Sequence, residues 1–156
     1  MSSIAIITAR GGSKRIPNKN IKDFCGKPII TYSIEAAIKS GAFDEVMVST
    51  DSEVIANIAI EHGAKVPFMR SKETSNDYAT TSDVINEVLT EYSQRGCSFD
   101  EFCCLYPTAP FVTSEKLSKA ASILRSSESY SLMTVVAFSF PPQRGLILKD
   151  GNITYK

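Results

Sequence analysis

Net charge is missing from this chain: seventeen lysine and arginine residues cancel seventeen aspartate and glutamate residues among 156. A zero balance argues against bulk binding of nucleic acid or of an anionic membrane surface. Histidine occurs once, at His62, and the four cysteines include no C-x-x-C pair, so the ligand spacing of a zinc site is lacking and no metal residue is assigned. No apolar run approaches the length that spans a bilayer. The N-terminus lacks the n-region and h-region of a signal peptide; Met1-Ser2-Ser3 leads straight into an apolar run, and a cytoplasmic chain is expected. Two nucleotide fingerprints are also absent. Gly11-Gly12-Ser13-Lys14 does not fit G-x-x-x-x-G-K-[ST], and no G-x-G-x-x-G occurs, which removes the P-loop and sets aside a dehydrogenase.

What is there reads as one globular domain, with 43% hydrophobic and 22% charged residues. Strand and helix signals alternate. Ile4 to Ile7 is a buried-strand signal. Pro28 opens a helix with Ile30, Ile34, Ala37 and Ile38 on one face, closed by Gly41. Val46 to Val48 is a strand, and Asp51 or Ser52 caps a helix that ends at Gly63, with His62 near its end in a structural or solvent-facing role. A short strand is expected at Val66 to Met69, then a long polar loop from Ser71 to Thr81, of a kind that is often functional. A helix carrying Val84, Ile85, Val88, Leu89 and Tyr92 follows, then a strand from Phe102 to Tyr106. Next come a helix capped by Thr113 or Ser114 and a strand from Leu132 to Phe138. Asp150-Gly151 predicts a terminal β-hairpin. This order implies a three-layer α/β fold with a mostly parallel sheet, Rossmann-like, over residues 1–140, and a hairpin extension over 141–156.

In such a sheet, ligands sit beyond the carboxyl ends of the strands. The loop Thr8 to Asn20 occupies that place. It holds two glycines and four basic residues, Arg10, Lys14, Arg15 and Lys19, without one acid between positions 10 and 19. Gly11, Gly12 and Ser13 can bring backbone N–H groups close to an anion while Arg10, Lys14 and Lys19 neutralise it. Ser49-Thr50-Asp51 and Tyr106-Pro107-Thr108-Ala109-Pro110 close the same edge. Asp51 is read as a helix cap, with metal or ribose contact as the other option.

The loop from Arg10 to Asn20 resembles that of the nucleotidyltransferases that activate acidic sugars with CTP, in which A-R-G-G-S-K, then I-P, then K-N follow the first strand. The resemblance continues through Gly26-Lys27-Pro28, the run Phe43 to Asp51, Gly63-Ala64, Val66-Pro67-Phe68, Arg70, and Tyr106 to Pro110. It covers residues 4 to about 140 and points to the nonulosonic-acid cytidylyltransferases, the group that contains the CMP-sialic acid synthetases. Arg15, Tyr106 and Pro141-Pro142-Gln143-Arg144 look like the pseudaminic acid branch.

The resemblance implies a nucleotide-diphospho-sugar transferase fold and CMP-sugar formation from CTP and a nine-carbon acidic sugar, pseudaminic acid favoured, with release of pyrophosphate. It assigns Arg10 and Lys19 to catalysis. It points to Arg10, Lys19 and Asn20 as nucleotide contacts and places Arg70 and Thr81 on the cytosine side, Thr81 being a helix-cap candidate as well; the loop itself adds Gly11, Gly12, Ser13 and Lys14, and Tyr106 is read as a wall of the cleft between base and sugar. Arg144 is a candidate for the sugar carboxylate. Magnesium is the expected cofactor, its ligands lying in a C-terminal portion of the family that is expected to be missing here, and a homodimer is expected. The alternatives are a CMP-sialic or CMP-legionaminic acid synthetase, or a CTP-binding module without catalysis.

Overall fold

Six consecutive residues, Ser3–Thr8, form the central strand β1, and five of them are fully enclosed. The computed structural model describes residues 1–139 and 145–155. After β1 come a 3-10 turn at Lys19–Ile21, a two-residue pair β2 (Asp23–Phe24) and β3 (Lys27–Pro28), and helix α1 (Ile29–Ser40). Strand β4 (Glu45–Ser49), helices α2 (Glu53–Glu61) and α3 (Thr81–Gln94), strand β5 (Glu101–Leu105) and helix α4 (Ser114–Arg125) complete the body. A hairpin of β6 (Leu146–Lys149) and β7 (Asn152–Tyr155) follows.

Strand β1 lies between β4 and β5 and pairs parallel with both, Ile6 standing opposite Met47 on one side and Cys104 on the other. The two-residue period of a strand decides the layers. Ala5 and Ile7 point to one face, where they pack with Ile30 and Ile34 of α1, Ile55 of α2 and Leu117 of α4. Ile4 and Ile6 point to the other, against Ile85, Val88 and Tyr92 of α3. Truncating a side chain such as Ile6 to alanine in this core costs roughly 2–5 kcal/mol. No helix among the described residues is long and apolar enough to cross a membrane.

Several local signals act as expected. Helix α1 begins after Pro28 and ends at Gly41 in the left-handed conformation. Thr113 caps α4 by accepting from the Lys116 N–H. Asp150 and Gly151 both take positive φ, as a two-residue hairpin turn requires.

Others are corrected. No strand forms at Val66 to Met69. The chain touches β4 through a single bridge, Lys65 to Met47, and again where the Arg70 N–H donates to the Thr50 carbonyl at 2.8 Å. Pro67 has no N–H to continue a ladder. Nor is Leu132 to Phe138 a strand: it is exposed, and no strand pairs with it among the described residues. The β-rich composition there meets no partner strand among those residues, and propensity alone does not make a strand. Neither Asp51 nor Ser52 caps α2 through its side chain, although Ser52 holds the cap position. Pro141 to Arg144, including the candidate Arg144, lie outside the described residues.

Candidate functional site

The carboxyl ends of β1, β4 and β5 all point to one edge of the sheet, so the segments leaving Thr8, Ser49 and Leu105 meet there. The first is shaped by close backbone approach. The Ala9 N–H donates to the Ser49 carbonyl at 2.9 Å, and the Gly11 N–H donates to Asp51 Oδ1 at 2.7 Å. A Cβ at Gly11 would stand 3.0 Å from the Ser52 Cβ, so only glycine brings the loop this near α2. Asp51 is therefore a strut for the loop, which corrects its reading as a helix cap.

Asn20 fixes the far end of the loop. It is 4% exposed, its Nδ2 donates to the Arg10 carbonyl at 2.9 Å, and its Oδ1 is buried without a partner. Arg10 is thereby held by its backbone while its side chain reaches forward. Ser13 N–H turns back to the Gly11 carbonyl at 2.9 Å. Of the three expected backbone donors, two are thus engaged within the protein.

A cleft of about 780 Å³ opens between this loop, the start of α3 and the turn after β5. Its volume suits a nucleotide-sized ligand, for which pockets of roughly 300–1,000 Å³ are typical. Arg10, Ser13, Lys14, Lys19, Asn20, Arg70, Thr81 and Tyr106 line it together, while Gly11 and Gly12 lie outside the lining. Lys19 forms no ion pair among the described residues.

Arg70 forms one wall. It is 8% exposed, and its Nε and Nη2 donate to the Ser49 hydroxyl at 2.9 Å and the Ser49 carbonyl at 2.6 Å. Burial pushes the guanidinium pKa down from its usual value, against the nearby charges of Asp51 and Glu87, which hold it up. Among the described residues no carboxylate pairs with it directly; its charge rests on the Ser49 dipoles. Opposite, the Ser33 hydroxyl of α1 donates to the Tyr106 carbonyl at 2.9 Å, and the Tyr106 hydroxyl lies 3.4 Å from Thr81 Oγ1. Thr81 is not the cap of α3. Thr80 is, in a reciprocal box in which each of Thr80 and Asp83 binds the other's backbone N–H.

The residues that local pattern did not single out lie in the polar segment before α3. Asp77 Oδ1 stands 2.9 Å from Arg10 Nη2, its other oxygen pairs with Lys14, and the Asn76 carbonyl accepts from Arg10 Nη1 at 2.7 Å. Glu87 of α3 accepts from the Ser71 N–H at 2.7 Å and from the Thr74 hydroxyl, and so anchors that segment. Its polarity and lack of periodicity were the only signal, and they named no residue. Among the described residues no three carboxylate, histidine or cysteine side chains converge.

Residues 4–141 match the family model described as cytidylyltransferase. The chain is 44% identical over 155 residues to a pseudaminic acid cytidylyltransferase of Campylobacter jejuni, covering 99% of this chain and 67% of that protein. It is 40% identical over 145 residues to a CMP-N,N'-diacetyllegionaminic acid synthase of Legionella pneumophila, covering 91% of this chain and 61% of that one. Among solved structures, it resembles a CMP:2-keto-3-deoxy-manno-octonic acid synthetase complexed with CTP. There the TM-score is 0.67 and the identity 26%, covering 80% of this chain and 48% of that one. A cytidylyltransferase from Leptospira borgpetersenii shares the fold, with a TM-score of 0.62 at 23% identity. The chain thus spans 67% of the length of that Campylobacter relative and 48% of that solved synthetase.

Proposed function

The chain belongs to the cytidylyltransferase family, and from that premise we propose that its cleft binds CTP and passes the cytidylyl group to a hydroxyl of a nine-carbon acidic sugar, pseudaminic acid favoured. The observation that carries this reading is the polarity of the cleft: Arg10, Lys14 and Lys19 stand at its loop end and the buried Arg70 at another wall. A triphosphate fits the first and a pyrimidine carbonyl the second, because a guanidinium keeps N–H donors beyond the two that Ser49 holds. Thr81 and Tyr106 complete the nucleotide wall, and Gly11, Gly12 and Asn20 shape it through the loop backbone.

In the reaction the sugar oxygen forms a bond to the α-phosphorus, the bond from that phosphorus to the bridging oxygen breaks, and pyrophosphate departs with its electron pair. The sugar hydroxyl releases its proton to solvent water. Arg10 and Lys19 stabilise charge on the phosphates in flight, and the fixed loop holds attacking and leaving oxygens in line. Magnesium, if bound with the nucleotide, would supply counter-charge to its phosphates; no described residue of this chain is assigned to it.

A cytoplasmic location and self-association through the exposed hairpin β6–β7 belong to the same proposal. A second reading is CTP binding without transfer: the cations that line the cleft suit a triphosphate, and no described residue is assigned as a base for the sugar hydroxyl. A pyrophosphate-release assay with CTP and pseudaminic, legionaminic and sialic acids separates the readings. Release with pseudaminic acid above the others supports the favoured one. CTP binding without release with any sugar supports the second, and no CTP binding removes both.

A further inference from the structure

We propose that Asp77 is an internal anion that occupies the phosphate end of the cleft, held there by residues 71–80 as a strap against the phosphate loop, so that the triphosphate must displace that carboxylate to bind. The proposal rests on the CTP reading above. Its ground is that two of the cations best placed for a phosphate are already engaged: Arg10 holds the Asp77 carboxylate and the Asn76 carbonyl, and Lys14 holds the second carboxylate oxygen.

The arrangement is built, not incidental. Asn76 Oδ1 accepts from the backbone N–H groups of Tyr78 and Ala79 at 2.7 and 2.9 Å, and its Nδ2 donates to the Glu73 carbonyl at 2.7 Å. These bonds fix the turn that presents Asp77. Glu87 anchors the segment at Ser71 and Thr74, and the Thr80–Asp83 box anchors its other end. At the turn tip the one large apolar side chain, Tyr78, is 93% exposed and adds no buried anchor. The ion pairs are therefore the attachment that can open.

They are also exchangeable. The Arg10 and Asp77 side chains are 33% and 38% exposed, and pairs so accessible to water are weak. A triphosphate brings several charges against the single charge of Asp77 and outcompetes it. The affinity measured for CTP is then the intrinsic affinity reduced by the fraction of molecules with the strap open.

Calorimetric titration of the whole chain with CTP, for wild type, Asp77→Asn, Asp77→Ser and Arg10→Ala, tests this. Circular dichroism of each variant checks the fold. The two Asp77 variants are expected to bind CTP about threefold to tenfold more tightly, with a steeper dependence on salt, and Arg10→Ala more weakly. CTP binding that is measurable but unchanged or weaker in both Asp77 variants overturns the proposal alone. No CTP binding by any form overturns the CTP reading and this proposal with it.

Discussion

Replacing Arg70 by lysine keeps the charge and removes the fork, so it isolates what the fork does. Arg70 donates twice to Ser49, through Nε to the hydroxyl and Nη2 to the carbonyl, at a site where it is 8% exposed. A lysine ammonium can satisfy one of these acceptors and leaves the other buried. A hydrogen bond from a charged group contributes about 1.5–3 kcal/mol. The ammonium is also the more strongly hydrated cation and suffers more from burial. The Arg70→Lys variant is therefore expected to lose about 2 kcal/mol of stability. In a chain of this size that is a fall in Tm of about 4–8 °C. Because the guanidinium N–H groups not held by Ser49 are the ones left for the nucleotide, and a lysine tied to Ser49 offers no such planar edge, CTP affinity is expected to fall about tenfold, equivalent to about 1.4 kcal/mol. Thermal unfolding followed by circular dichroism and a calorimetric CTP titration read the two effects. A variant with unchanged Tm and unchanged affinity refutes the reasoning, since neither the Ser49 contacts nor the base contact would then depend on the fork.

Two further outcomes are expected. Gly11→Ala places a Cβ 3.0 Å from the Ser52 Cβ, which must force the loop outward; a loss of roughly 1–3 kcal/mol in stability and weaker CTP binding follow, and wild-type values in both would contradict the strut. Acid should destabilise the fold: the Thr80 backbone and hydroxyl hold the Asp83 carboxyl below its usual value of 3.8, as the Ser3 backbone and hydroxyl do for Asp44. A carboxyl depressed in the folded state stabilises it above the unfolded pKa, and that contribution is lost as pH falls through the folded pKa. Tm is thus expected to hold down to about pH 5 and to fall below about pH 4, with a shallower fall in Asp83→Asn. A Tm that rises on acidification would contradict the assignment.

Much of this is legible in the sequence alone. The buried run of β1 and the apolar faces of α1 and α3 declare themselves through periods of two and of three to four, because burial selects for them directly. The turn at Asp150 and Gly151 is equally local. The two strands that did not form have a common cause: Val66 to Met69 and Leu132 to Phe138 carry strand-like composition, but a strand exists only where another backbone meets it. At the site, the basic loop and Arg70 were visible as residue types at a strand end. The partners that hold them were not. Asp51 under Gly11, Ser49 against Arg70 and Asp77 against Arg10 join positions far apart in the chain, and no local pattern encodes such a pairing.

A crystal structure with bound CTP tests the central claim most directly. The account expects the triphosphate against Arg10, Lys14 and Lys19, the cytosine beside Arg70, and Asp77 withdrawn from the loop. A nucleotide lodged elsewhere, with Asp77 still paired to Arg10 and Lys14, would contradict it.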